Sequence, residues 1–344
     1  METIWFIVVC FLLISYVVLD GFDLGAGTLH LLVAREDRER RAVLMAVGPV
    51  WDGNEVALVA SGGALILAFP SLYASALSGF YLPMFIVFWL LVLRGVSIEV
   101  RQTMNDPLWH SFWDFTFFLG SALLPFAFGT ALANVMRGLP LHENGFFFMP
   151  LWTDFDPLSS HPGILDWYTT IIGFLAFFAL ATHGANFLAV RTRGEVRARA
   201  RIFSISGWVA TLVLTVLGTV STFYLFPRRL DNFFGMPWGL AFPLAALGGL
   251  AGMGYFALRG RDWPAFASSA LYVAGMLAST AFSLFPDVLP ATNPANSLTV
   301  HNASTTTHGL VVGMISWLVG MVLAAAWFFI TYGLFFRERI EEEG

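Results

Sequence analysis

Four carboxylates and an amide stand inside two neighbouring apolar stretches near the start of the chain. The first stretch carries Asp20-Gly-Phe-Asp23-Leu-Gly-Ala-Gly27, and the second runs Val47-Gly-Pro-Val-Trp51-Asp52-Gly-Asn54-Glu55-Val-Ala57. A carboxylate at the centre of a membrane-spanning helix costs on the order of 3 kcal/mol to insert. Four of them therefore need a reason. Three kinds of chemistry suit the pattern: a proton path, a polar packing network, or a bound cation.

Spacing narrows how the acids meet. Asp23 lies twelve residues before Arg35 and Asp52 eleven after Arg41, about 18 Å and 16 Å at 1.5 Å per residue. If the two stretches are antiparallel helices, both carboxylates sit at similar depth. Asp20 falls one turn beyond Asp23 and Glu55 nearly one turn beyond Asp52, on the same faces. Gly21, Gly25 and Gly27 let another helix approach closely. Gly48-Pro49 weakens the second helix one turn before Asp52 and frees backbone carbonyls beside it. Trp51 needs a partner for its indole N–H at that depth, and Asn54 adds an amide.

His183 lies eight residues before Arg191 in a later apolar stretch, about 12 Å from the same face. It suits hydrogen-bonded packing or a polar relay, because imidazole titrates near neutrality. A heme axial role would need a second ligand at matching depth. His30 and His110 fall near one membrane face, and His142, His161, His301 and His308 near the other. Arg94, Glu99, Arg101, His110 and Asp114 read as interfacial anchors.

The elements that must position these residues are spelled out by composition. The 344 residues are 57% hydrophobic and 12% charged, against roughly 25% charged in soluble domains. Long continuous apolar runs exclude a soluble fold and the short alternation of a membrane barrel. The reading is an all-α polytopic membrane protein in a single integral domain over 1–344. Its nine transmembrane helices fall at about 4–33, 43–68, 72–97, 112–136, 165–190, 202–226, 237–258, 264–286 and 309–335. The N-terminus has no basic n-region and its first run is too long for a signal peptide. Lone Cys10 offers neither a disulfide nor a thiolate metal site. No tract is basic enough to bind nucleic acid.

All 18 basic residues are arginines, and 15 of them fall in the odd-numbered loops and the tail. Only Arg137, Arg228 and Arg229 lie on the other side. The positive-inside rule then places the N-terminus outside and the C-terminus in the cytoplasm. The outer segments 137–164 and 286–308 read as ordered caps or as plain connections. The tail FRERIEEEG reads as a solvated end.

Two of these motifs carry a resemblance. DGFDLGAG at 20–27 and GPVWDGNEV at 48–56 resemble subunit II of cytochrome bd-type quinol oxidases. The likeness continues through SGGALILAFPSLYASALSGFY at 61–81, FPDVLP at 285–290 and NASTTTHGL at 302–310. It implies a bacterial inner-membrane, multi-pass subunit of a complex that oxidises quinol and reduces dioxygen to water. In such a complex hemes b and d belong to subunit I, and subunit II docks against it, carries no cofactor or metal of its own and supplies a cytoplasmic proton path. Respiratory turnover of this kind is electrogenic. A structural quinone or lipid on this chain and small single-helix subunits are partners the resemblance leaves open.

Residue by residue, the family's acidic positions match Asp20, Asp23 and Asp52, with Trp51 and Asn54 flanking. Glu55 stands where acid and amide alternate. Ala57 replaces a common Trp, the loop between the sixth and seventh helices is short, and His183 stands where some members have an amide. The expectation is that Asp23 and Asp52 carry protons and that Asp20 and Glu55 extend the path. Trp51, Asn54 and His183 support it. The rival is a proton-coupled secondary transporter, whose sign would be an inverted repeat; a purely structural subunit is a third possibility.

Overall fold

The computed structural model describes residues 1–335, and Arg337, Arg339 and the rest of the tail lie outside the described residues. Its helices are α1 (Glu2–Val33), α2 (Asp37–Val47), α3 (Trp51–Ala68), α4 (Pro70–Gly79), α5 (Tyr81–Val100), α6 (Pro107–Arg137), α7 (Trp167–Arg191), α8 (Gly194–Leu225), α9 (Asp231–Gly235), α10 (Ala241–Leu258), α11 (Asp262–Leu284) and α12 (Thr307–Phe335). Among the described residues eight helices are long and apolar enough to cross a membrane. A ninth span results if α2 and α3, bent by 44°, count as one.

Short connections between long helices force an up-down bundle with two distinct ends. One end gathers Arg35–Arg41, Arg101, Arg191–Arg201 and Arg259–Arg261, and is called the arginine face here. The other, the cap face, gathers the segments 138–166 and 285–306.

Helix α1 is the centre of the bundle and packs against α3, α6, α7 and α11. Its contact with α7 is close enough to need glycine on both sides. A Cβ on Gly25 would stand 2.0 Å from the Leu180 carbonyl oxygen, and one on Gly184 would stand 2.2 Å from the Gly25 backbone. Small residues let two backbones meet in this way in lipid, where dispersion replaces the hydrophobic effect as the glue.

Both helix breaks have a visible cause. Gly48-Pro49-Val50 separates α2 from α3, as the sequence predicts, because proline cannot supply the N–H that would continue the ladder. The expected span 72–97 is instead two helices, split at Phe80. The side chain of Phe147 from the cap fills the place where a Gly79 Cβ would stand, 2.1 Å away, and its ring lies 5.0 Å from that of Phe80. Pro83, which cannot donate an N–H back to Gly79, breaks the ladder here, and Phe147 packs into the break.

The cap is ordered. Leu139 N–H donates to the Pro290 carbonyl, the Leu139 carbonyl accepts from Thr292 N–H, and Asn296 Nδ2 donates to the Leu141 carbonyl. Two short strands, β1 (Asp287–Leu289) and β2 (Leu298–Thr299), pair antiparallel beside this seam. Leu139, Leu141, Phe147, Met149, Ile164 and Leu289 form its own apolar core with Phe80.

Candidate functional site

The acids converge on a cation that sequence spacing had assigned to the interface. Arg94, on α5, is fully buried, and its Nη2 donates to Asp20 Oδ1 at 2.7 Å and to Glu55 Oε1 at 2.6 Å. An arginine near a helix end can reach several ångströms inward along its own stem, and Arg94 does so. It thereby ties α1, α3 and α5 together. Removing it would leave buried carboxylates unpaired, the situation that makes broken buried ion pairs so destabilising.

Asp23, one turn from Asp20 on α1, meets a different partner. Asn54 Nδ2 donates to Asp23 Oδ2 at 2.7 Å and also to the Leu19 carbonyl at 3.2 Å. Tyr332 on α12 donates its hydroxyl to Asn54 Oδ1 and closes that side of the site. Helix α12 reaches this far because Gly53 leaves room: a Cβ there would stand 2.1 Å from the Trp327 ring. Trp51 packs in the same way over Gly95, at 3.0 Å from the position of its missing Cβ.

Asp52 stands apart from this buried group. It is exposed in the first turn of α3, whereas Glu55 is partly buried. The expectation that Glu55 and Asp52 share one face of the helix is therefore corrected. A residue three positions along a helix is about 60° short of a full turn, and that is enough to turn Asp52 outward while Glu55 points to Arg94. Asp52, Val56, Val59, Gly63 and Ile66 form one exposed stripe on α3, with Val59 74% exposed.

His183 does not touch the acids. Its Nδ1 lies 2.7 Å from Ser269 Oγ and its Nε2 3.0 Å from the Val18 carbonyl, and the ring stacks on Phe266 at 4.9 Å. Both nitrogens are engaged and the faces are covered, so the residue does not fit a heme axial position. Among the described residues no group of three His, Cys, Asp or Glu side chains could hold a metal.

Sequence reasoning missed Arg94, Tyr332 and Tyr16 as members of the site. Tyr16 lies one turn before Asp20, is buried, and has a hydroxyl without an ordinary hydrogen bond. It also placed His30 at the edge, whereas His30 is fully buried. There it meets a second cluster at the arginine face. His30 Nε2 lies 2.8 Å from Asp114 Oδ1, and Arg101 and Arg40 donate to the same carboxylate at 2.6 Å and 3.1 Å. Arg101 also reaches Asp37 at 2.7 Å, and His110 lies 3.1 Å from Asp37.

The arrangement can hold and move charge. Asp20 Oδ2, Asp23 Oδ1, Arg94 Nε and Arg94 Nη1 are all buried with no hydrogen-bond partner. Buried polar atoms are ordinarily satisfied, and exceptions concentrate where groups exchange protons or water.

Comparison with known proteins agrees with the bundle. Residues 1–335 match the family described as cytochrome bd terminal oxidase subunit II. The chain is 32% identical to a probable cytochrome oxidase subunit 2 of Haemophilus influenzae, over 97% of this chain and 93% of that protein. It is 31% identical to the cytochrome bd-I ubiquinol oxidase subunit 2 of Escherichia coli, over 98% and 96%. It is also 31% identical to the Bacillus subtilis cytochrome bd ubiquinol oxidase subunit 2, over 91% and 89%. Its fold matches a chain of the bd oxidase structure from Geobacillus thermodenitrificans, with a TM-score of 0.72 at 17% identity over 98% of this chain. None of these supports a transporter. The chain is a multi-pass membrane protein that belongs to the cytochrome bd terminal oxidase subunit II family, one subunit of a quinol-oxidising oxidoreductase.

Proposed function

We propose that this chain docks through the exposed α3 stripe against the heme-bearing subunit I and delivers protons to it from the arginine face. By the positive-inside rule that face is cytoplasmic and the cap lies outside, in a bacterial inner membrane. Quinol oxidation and dioxygen reduction take place in the partner, at hemes b and d, and taking the protons from the cytoplasm makes turnover electrogenic. No step of that chemistry is assigned to this chain's own side chains. Its single domain stabilises the partner and conducts protons.

The observation that carries this is Asp52. A lone carboxylate on an otherwise apolar stripe would be costly against hydrocarbon, and a docked subunit relieves that cost. Glu55, three residues along α3 from Asp52, is held by Arg94 at 2.6 Å, and Arg94 also bonds Asp20 at 2.7 Å, so the outward-facing acid stands about one turn from a buried ion-paired group. Asp20 is the fixed counter-ion of Arg94. Asp23, held by a neutral amide alone, is the member free to bind and release a proton.

The test is purification of the intact complex carrying Asp52→Asn. Slower oxygen consumption with the b and d bands of the reduced-minus-oxidised spectrum preserved supports proton delivery. Loss of the hemes would make Asp52 an assembly residue. A colourless wild-type chain that purifies alone would end the oxidase reading.

A further inference from the structure

Five residues share one stripe of α1. Tyr16, Asp20, Asp23, Gly27 and His30 follow one another at intervals of four, three, four and three residues, the spacing that keeps positions on a single helix face. The cap-ward part of the stripe is the acid site. Its other end reaches the arginine face at His30.

The gap between Asp23 and His30 is filled from α6. A Cβ on Gly27 would stand 2.0 Å from Ser121 Oγ, so the serine hydroxyl occupies the notch that the glycine leaves. Thr28 Oγ1 donates to the Ser121 carbonyl at 2.9 Å and holds that turn of α6 against α1. Ser121 is fully buried, and its Oγ has no hydrogen-bond partner. His30 is also fully buried, and while its Nε2 engages Asp114 its Nδ1 has no partner. Asp23 Oδ1 completes the series. Three consecutive positions of one stripe thus each present a buried polar atom with nothing to bond.

The outer end of this series is within reach of water. Asp37, Arg40, Asn105, Pro107, His110 and Ser111 line an open cleft on the arginine face. Arg40 of that cleft donates to Asp114, the carboxylate that engages His30.

We propose that His30 and Ser121 form the inlet of the proton path, carrying protons from the arginine-face cleft along α1 to Asp23. The inference rests on the proton-delivery reading above and adds its origin. The Asp114 carboxylate accepts from Nε2–H and so fixes the imidazole tautomer, leaving the Nδ1 lone pair as the proton acceptor. A hydronium admitted from the cleft gives its proton to Nδ1 and is left as water. That N–H bond then breaks as the proton passes to Ser121 Oγ, while the serine hydroxyl proton moves on to Asp23 Oδ1. Helix rise from Asp23 to Gly27 is about 6 Å and from Gly27 to His30 about 4.5 Å, so water molecules complete each hop. One proton enters for each one delivered, and only N–H and O–H bonds change.

The test uses the intact two-subunit oxidase and compares Ser121→Ala, His30→Gln and Asp23→Asn. Ser121→Ala removes the hydroxyl without adding volume. His30→Gln keeps an amide N–H for Asp114 but cannot take a proton. Each is expected to lower quinol-driven oxygen consumption about tenfold, a modest share of what positioned proton transfer contributes, with a larger solvent isotope effect and unchanged heme bands. Restoration of wild-type turnover by His30→Gln would show that His30 only packs, and would overturn the proposal. Wild-type turnover in Ser121→Ala would do the same. If Asp23→Asn is slow while both inlet variants are fast, only this inlet fails. If all three are fast, proton delivery itself fails.

Discussion

Two of the buried arginine–carboxylate sites among the described residues are built to different ends. At the cap, Arg137 bonds the Asp166 carboxylate, the Asn134 side chain and the Gly163 carbonyl. Asp166 also caps α7 by accepting from Thr169 N–H at 2.9 Å, and Thr169 Oγ1 returns a bond to the Ile164 carbonyl. Only Arg137 Nε is left over. Around Arg94, by contrast, one guanidinium nitrogen serves two carboxylates while Nε and Nη1 serve none, and Asp20 and Asp23 each keep a bare oxygen. The cap site thus leaves one buried nitrogen without a partner, whereas the Arg94 site leaves four polar atoms. A satisfied network holds a loop in place, whereas buried polar atoms left without protein partners call for water or for a group that exchanges protons.

That contrast can be broken at either end. Arg94→Leu should have the largest effect, because it strands Asp20 and Glu55 and costs about 3–5 kcal/mol. The expected outcome is loss of assembled oxidase, seen as missing heme absorbance in membranes. Recovery of assembly in the double variant Arg94→Leu/Asp20→Asn would show that the unpaired charge was the cause. Arg137→Leu should cost a similar but smaller amount, about 3 kcal/mol, read as a lower midpoint of thermal unfolding. Turnover per heme should not change, since the cap pair lies outside the Arg94 site. Tyr332→Phe removes one hydrogen bond to Asn54, worth about 1 kcal/mol. It should shift thermal stability slightly and slow turnover less than any acid variant.

How much of this was legible in the sequence depends on what each feature answers to. The spans answer to length and hydropathy. The break at Gly48-Pro49 answers to proline's missing N–H, and both could be read locally. The split at Phe80 also had a local signal in Pro83, which lacks the N–H that would continue the ladder to Gly79, while the packing of Phe147 against it could not be read from the sequence. The inner and outer faces of α3 were equally hidden. Helices in lipid are apolar all round, so periodicity does not tell which side faces the bundle, and Asp52 and Glu55 could be sorted only by packing. Arg94 was misjudged because position was measured along the axis, while its stem carries the charge inward. For His183 the sequence left packing and relay open, and only the fold shows Val18 and Ser269 engaging both of its nitrogens.

The central claim is that the Arg94 site conducts protons and the cap site does not. The most direct measurement is proton uptake by the purified complex during quinol-driven oxygen consumption, in Asp23→Asn beside Arg137→Leu. The account predicts that uptake and oxygen consumption fall together by about tenfold or more in Asp23→Asn, with heme bands intact, and that Arg137→Leu keeps both at wild-type rates. Wild-type uptake in Asp23→Asn, or an equal loss in the two variants, would contradict it.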